Sequence, residues 1–363
     1  MKRILIIAMN LNSGGAERQT VAIAEALQTH GHNVTIACYS QGDFYLSDLL
    51  KSGIRVEWMV EKRYYKRILG FRKFIRKGGF DVVISLLVTP NIINLLSAVG
   101  GKTWKVILGE RSAKREFFNS TKAIFIRAMM RYADALVCNS ENATEIWKRF
   151  ACRNAHKVKC IYNLLPQYEA SSIYLPKKNN RINVVIAASY QPLKNMRRLI
   201  LALAKLDDEE RGKIHIDWYG QINVSTYGTK PYDESCALIK EHCLDSVISL
   251  NPPTTDIYEL MNAADVIALF SEVEGLPNVI CEALMLGKPI VMSNVSDYAV
   301  LVANENGYVC KYNDVSSITL TLKNLITLNE DQLMILGRRS HEIYNKKLST
   351  EVIIKEWLNL IVD

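Results

Sequence analysis

The sequence predicts an α/β protein made of two doubly wound, parallel-sheet domains. Short apolar runs alternate with amphipathic helical patterns, as expected of a parallel sheet with helices on both faces. The alternation stops at a polar segment, residues 164–180, which holds Pro166, Pro176 and Lys177-Lys178-Asn179-Asn180 and reads as a linker; it then restarts. Charge changes at the same place: residues 1–170 hold 26 Lys and Arg against 13 Asp and Glu, and residues 171–363 hold 19 against 24. At 363 residues and 49% apolar composition the chain can fill two cores, expected over 1–170 and 171–349.

The first strand is expected at Arg3–Ala8. Its six apolar residues are too few for the core of a signal peptide, and polar Asn10-Leu11-Asn12-Ser13-Gly14-Gly15 follows at once. Further strands are predicted at Asn33–Tyr39, Val56–Met59, Val82–Leu86, Lys105–Leu108, Ala135–Cys138 and Val158–Tyr162, with helices between them such as Ala16–Thr29 and Asn91–Val99. Gly14 and Gly15 let a backbone come close to a ligand at a helix start, where free N–H groups favour an anion. Residues 62–77 hold eight Lys and Arg among apolar and aromatic residues with no acid; residues 111–131 form a second basic stretch. Both suit an anionic membrane surface. Nucleic acid is not expected, because no recognition motif accompanies the charge.

In the second half, strands are predicted at Asn183–Ala188, Ile214–Tyr219, Val247–Leu250, Val266–Phe270, Ile290–Ser293 and Gly307–Cys310, and an amphipathic helix at Thr350–Val362. Asp207-Asp208-Glu209-Glu210 reads as a solvated loop. The eight Cys form no C-x-x-C and several sit in apolar runs, as reduced buried thiols do; the six His are scattered, so no zinc site is expected. No apolar run has the length of a membrane span.

The tract Phe270-Ser271-Glu272-Val273-Glu274-Gly275-Leu276-Pro277-Asn278-Val279-Ile280-Cys281-Glu282 carries the chemistry. Glu274 falls on the loop past a strand's carboxyl end and Glu282 just over one turn into the next helix. That crevice is where open α/β sheets bind ligands, and two acids there offer acceptors to a ligand rich in hydroxyls. Glu274 to Asn278, with Glu282 after seven intervening residues, resembles the E-x7-E signature of retaining glycosyltransferases of family 4, which have the two-domain GT-B fold.

The resemblance implies Rossmann-like domains facing across a cleft, an N-terminal acceptor side, a C-terminal nucleotide-sugar side, and a final helix, 350–363, that crosses back onto the first domain. It implies that Glu282 holds ribose hydroxyls and Glu274 the transferred sugar, with backbone N–H groups near Gly275, Leu276, Pro277 and Asn278 on sugar hydroxyls and the base near Asn251 to Thr254. Gly14 and Gly15 fall where a Gly-Gly loop faces the donor diphosphate. Ala188-Ser189-Tyr190-Gln191-Pro192-Leu193-Lys194 matches the family's Gly-Arg-x-x-Pro-x-Lys, which puts Lys194 on the diphosphate. Ser189 departs from the usual Arg, so Ser189 gives a weaker hydrogen bond there or Arg197 or Arg198 supplies the second cation. Near Glu110 and Arg111 many members have a His, absent here; either Glu110 orients the acceptor and Arg111 touches a phosphate, or the two belong to an interdomain or surface ion pair. Asn139, Ser140 and Asn163 echo family positions at strand ends, although Ser140 is more simply a helix N-cap.

The expected activity is transfer of a hexose or N-acetylhexosamine from a UDP-sugar to a glycan acceptor, such as a lipid-linked oligosaccharide at the cytoplasmic membrane face. No Asp-x-Asp occurs, so a metal-free reaction with no cofactor is expected. Two other classes stay open. A nucleotide-sugar epimerase or hydrolase would need a base near the sugar, and no His occupies a matched position. A non-catalytic sugar-binding protein would be expected to carry an export signal.

Overall fold

A computed structural model describes residues 1–12, 14–111, 115–166, 168, 181–224, 226–303 and 305–362. Two compact units emerge: Met1–Pro166 together with Thr350–Asp363, and Gln167–Ser349. Most of the expected linker, Ser13 of the Gly-Gly loop and Lys114 of the second basic stretch lie outside the described residues.

The first unit holds strands β1 (Arg3–Ala8), β2 (Asn33–Cys38), β3 (Arg55–Trp58), β4 (Val82–Leu86), β5 (Lys105–Glu110), β6 (Ala135–Cys138) and β7 (Val158–Cys160). Helices α1 (Gly15–Thr29), α2 (Leu46–Lys51), α3 (Tyr64–Gly78), α4 (Val88–Ala98), α5 (Thr121–Met129) and α6 (Glu141–Ala151) connect them. All strands pair in parallel in the order β3-β2-β1-β4-β5-β6-β7. Central β1 has neighbours on both sides, and Ile4, Leu5, Ile6 and Ile7 are all fully buried. A strand covered on both faces reads as a continuous apolar run, not an alternating one.

The second unit holds β8 (Ile182–Ala187), β9 (Ile214–Tyr219), β10 (Ile248–Asn251), β11 (Val266–Leu269), β12 (Ile290–Ser293) and β13 (Gly307–Cys310), parallel in the order β10-β9-β8-β11-β12-β13. Its helices are α7 (Met196–Leu203), α8 (Asp208–Gly212), α9 (Lys230–Glu241), α10 (Ile257–Ala263), α11 (Asn278–Met285), α12 (Tyr298–Leu301), α13 (Val315–Ile326) and α14 (Glu330–Lys347). The last helix, α15 (Thr350–Val362), groups with the first unit and packs against α1, burying Ile353, Ile354, Trp357 and Ile361.

In each unit the connections change direction beside the first strand, between β1 and β4 and between β8 and β11. These topological switch points open a crevice past the carboxyl ends of the strands. Gly220, just past β9, lies so close to β8 that a Cβ there would sit 1.9 Å from the Ala188 carbonyl oxygen. A side chain at that position would push the two strand ends apart.

Two expectations need correction. Asp207-Asp208-Glu209-Glu210 is not a loop but the start of α8: the Asp207 carboxylate accepts from Glu210 N at 2.8 Å, and Glu210 Oε2 accepts from Asp207 N at 3.0 Å. This reciprocal capping box satisfies two otherwise unpaired donors and starts even a five-residue helix. The aromatic residues of the second basic stretch are not surface groups. Phe117 and Phe118 pack on Trp147 and Phe150 with ring centroids 5.0–6.2 Å apart, against the core of the first unit.

Candidate active site

The loops past β8 and β11 meet at the switch point of the second unit. Glu272 N donates to the Leu193 carbonyl at 2.8 Å. Asn195 braces three loops at once: its Nδ2 donates to Phe270 O at 2.9 Å and to Tyr312 O at 2.8 Å. Its backbone is left-handed, with φ of 67°, a conformation Asn tolerates better than most residues. Asn195 and Glu272 were not singled out as site residues from sequence. The signal available was the Lys194-Asn195 pair opening a helix.

Lys194 and Glu274 come together on these loops. Lys194 Nζ donates to Glu274 Oε1 at 2.6 Å, with the two side chains 19% and 13% exposed. Lys194 is therefore no solvated cation at a helix start. An ammonium carries three donors, and among the described residues Glu274 takes one, leaving two for a ligand. Partial burial strengthens the pair relative to a surface ion pair. Glu282 lies one turn into α11 and is buried, at 8% exposure.

The acidic turn has a fixed backbone. Leu276 and Pro277 are buried and Pro277 is the N-cap of α11, with no side-chain capping bond, so this helix starts with backbone N–H groups that no cap side chain satisfies. Ser296 Oγ donates to the Gly275 carbonyl and ties the loop past β12 to the same turn. On the other side of β8, Tyr190 Oη donates to Trp218 O at 3.0 Å and to Asn251 O at 2.9 Å, which holds the strand ends near Asn251 to Thr254. Ser189 is half-buried in the loop between.

Of the possible second cations, Arg198 is already committed. Its Nη1 donates to Asn195 Oδ1 at 2.8 Å and pairs with Glu272, because the loop past β11 brings that carboxylate over α7. Arg197 is exposed and lines, with Arg198, Tyr190, Glu234 and Glu272, a groove of about 400 Å³ between α7 and α9. Lys194, Glu274 and Glu282 do not line that groove.

In the first unit, neither Gly14 nor Gly15 has a positive φ, and the space around Gly15 is open. The Glu17 carboxylate folds back over Gly14, within 2.3 Å of where a Cβ would be, so an acid already lies at the start of α1. Glu110 is the last residue of β5 and 2% exposed; its Oε1 accepts from Arg111 N at 2.9 Å. Arg111 Nη1 donates to Asn163 Oδ1 at 2.9 Å. Ser140 caps α6, accepting from Ala143 N at 3.1 Å.

The basic stretch 62–77 divides into two sets. Arg72 donates to the Leu96 and Ser97 carbonyls, and Arg76 to those of Val99 and Gly101, so both hold the end of α4. Arg67 donates to Glu61 O and lies 4.5 Å from the centroid of the Tyr39 ring. Lys62, Lys66, Lys73 and Lys77 are exposed beside Trp58, Val60, Tyr64, Tyr65 and Leu69, which are exposed apolar residues. Among the described residues no helix is long and apolar enough to cross a membrane.

Known proteins share this organisation. Residues 13–165 match the model of Glycosyltransferase Family 4, and residues 169–341 match that of Glycosyl transferases group 1. The chain is a glycosyltransferase. It is 24% identical over 377 residues to an uncharacterized glycosyltransferase of Haemophilus influenzae, covering 99% of this chain and 100% of that one. It is 26% identical over 378 residues to a Campylobacter jejuni GalNAc-alpha-(1->4)-GalNAc-alpha-(1->3)-diNAcBac-PP-undecaprenol alpha-1,4-N-acetyl-D-galactosaminyltransferase, covering 100% and 99%. The crystal structure of Anabaena HepE in complex with UDP superposes with a TM-score of 0.84 at 16% identity, over 100% of each chain. At that identity the likeness is one of fold, and the fold of this glycosyltransferase is the GT-B type with two Rossmann-like domains.

Proposed function

We propose that the protein moves a hexose or N-acetylhexosamine from a UDP-sugar to a lipid-linked glycan acceptor, with retention at the anomeric carbon and without a metal ion. The observation that carries this reading is the Lys194–Glu274 pair at the switch point of the second unit, with Glu282 one turn into α11. On this reading Glu282 accepts from the ribose hydroxyls. Glu274 Oε1 holds Lys194 in place while its second oxygen accepts from a hydroxyl of the transferred sugar. The two remaining Lys194 donors, together with the N–H groups opening α11, face the diphosphate as its bond to the sugar breaks and negative charge develops on it. A fixed cation acting on developing charge is worth more than one that must reorganise. The sugar passes through an oxocarbenium-like state, as in glycoside chemistry generally. Within the first unit, Gly15 has open space around it and offers a backbone that an anion can approach, and Glu110 is assigned to the acceptor.

The acceptor class rests on the Campylobacter relative, whose name specifies an undecaprenol-diphosphate glycan, and the donor class on the Anabaena protein, which binds UDP. Lys62, Lys66, Lys73 and Lys77, with their exposed apolar neighbours, suit the anionic inner face of a cell membrane, where such an acceptor is embedded. A thermal-shift panel of nucleotide sugars tests the reading, because a bound ligand raises stability by mass action. A UDP-sugar should raise Tm in wild-type protein and much less in Glu282→Ala. No shift from any nucleotide sugar at millimolar concentration would remove the reading.

A further inference from the structure

Two serines of the loop past β12 grip the ends of the acidic turn. Ser293 Oγ donates to the Ser271 carbonyl and Ser296 Oγ to the Gly275 carbonyl. That loop is itself fixed to the end of β13: Asn294 N donates to Cys310 O at 2.8 Å, and Asn294 Oδ1 accepts from Tyr312 N at 3.2 Å. Ser296 is half-buried and its backbone is left-handed, with φ of 52°, a region that residues other than Gly and Asn seldom enter. Strain of this kind persists only where the surroundings over-determine it, and it gathers at ligand sites. The bond to Ser296 also orients the next amide. The Gly275–Leu276 peptide is trans, so the Gly275 carbonyl and the Leu276 N–H point in opposite directions. β11 has β12 on one side and β8 on the other. A carbonyl drawn to the loop past β12 therefore turns the Leu276 N–H away from that loop, toward the switch point where Lys194 and Glu274 meet. Among the described residues that N–H has no hydrogen-bond acceptor.

We propose that Ser296 is a positioning residue for donor-sugar selectivity: by holding the Gly275 carbonyl it aims the Leu276 N–H at a hydroxyl of the transferred sugar. This rests on the transferase reading, in which the nearby Glu274 carboxylate accepts from that sugar. A carboxylate only accepts and an N–H only donates, whereas a sugar hydroxyl does both. A fixed acceptor and a fixed donor two residues apart thus read the direction in which a hydroxyl leaves the ring. An axial and an equatorial hydroxyl on one carbon cannot satisfy both equally. The loop past β12 thereby enters the choice between donors without touching the sugar. UDP has no hexose, so its own affinity does not depend on Ser296.

The test is calorimetric titration of the full-length protein with UDP and, separately, with UDP-glucose, UDP-galactose, UDP-N-acetylglucosamine and UDP-N-acetylgalactosamine. Wild type should bind one of these UDP-sugars most tightly. Ser296→Ala should bind UDP as wild type does and bind the preferred UDP-sugar about fivefold to tenfold more weakly, as loss of one hydrogen bond does. Its affinities for the UDP-sugars should also lie closer together. Ser296→Gly accepts the left-handed backbone without strain, so its fold is secure and it isolates the hydroxyl. It should match Ser296→Ala in both respects. A serine that merely tethers the loop would, when replaced, weaken UDP and UDP-sugar together, and that result overturns the proposal. So does a UDP-sugar to UDP affinity ratio, or a spread among the UDP-sugars, that stays at the wild-type value in either variant. Wild type that binds neither UDP nor any of the UDP-sugars removes the transferase reading and the proposal with it. UDP binding with unchanged ratios removes the proposal alone.

Discussion

The two units each place a basic side chain past the carboxyl ends of a parallel sheet, but they treat it differently. In the second unit Lys194 already has an anion, Glu274, at 2.6 Å. In the first unit Arg111 donates to an amide oxygen, and among the described residues two of its nitrogens have no hydrogen-bond partner. A cation with a resident carboxylate is held in place before any ligand arrives, and an ammonium can keep that bond while offering its other donors. The Arg111 guanidinium instead lies beside the buried Glu110 carboxylate, which acts on it through charge while accepting from the Arg111 backbone N–H.

The largest effect that would break this comparison is expected at Lys194. Lys194→Ala should lower kcat about 10²–10³-fold, the range for removing one preorganised group that stabilises developing charge. The measure is UDP release with donor and acceptor both present. A loss confined to KM would assign Lys194 to ground-state binding only.

The two acids sharpen the account of the second unit. Glu282→Ala should weaken UDP-sugar binding by about 1.5–3 kcal/mol, as loss of a charge-assisted hydrogen bond does, with turnover less affected. Glu274→Ala should act mainly on turnover, because it removes both a sugar contact and the group that holds Lys194. Calorimetric affinity beside steady-state rates separates the two. Equal affinity and rate in wild type and both variants would leave the pair without a role.

Within residues 62–77 the structure sets two sets of cations against each other. Replacing Lys62, Lys66, Lys73 and Lys77 by Ser should release the protein from vesicles containing anionic lipid, each lysine contributing about 1 kcal/mol, with binding that falls as salt rises. Tm should stay put. Arg72→Ser should do the reverse and lower Tm, because Arg72 donates to the Leu96 and Ser97 carbonyls at the end of α4. Co-sedimentation that ignores lipid charge would make the lysines a solvated face. The smallest effect belongs to α8: Asp207→Ala removes an N-cap and should cost about 1 kcal/mol in a denaturant melt.

Much of this was legible in the sequence for physical reasons. The run Ile4–Ile7 reads as a central strand because burial on both faces demands apolar residues throughout. Glu274, Glu282 and Lys194 stand out because acids and a lysine at the mouths of apolar helices have no packing role. The Lys194–Glu274 bond was hidden, since its partners are 80 residues apart and meet only when β8 and β11 pair. The same holds for Arg72 and Arg76, whose acceptor carbonyls lie more than 20 residues away and draw two cations out of a seemingly uniform basic face. The capping box at Asp207 was locally encoded, but no apolar run follows it, so the acidic tract resembles a loop.

The most direct test of the central claim is acceptor-dependent UDP release, followed in excess EDTA with a UDP-sugar and a lipid-linked glycan. The account predicts release by wild type only when both substrates are present, persistence under chelation, and near-complete loss in Lys194→Ala. Release that needs no acceptor, that chelation abolishes and Mg²⁺ or Mn²⁺ restores, or that runs equally fast in Lys194→Ala, would contradict it.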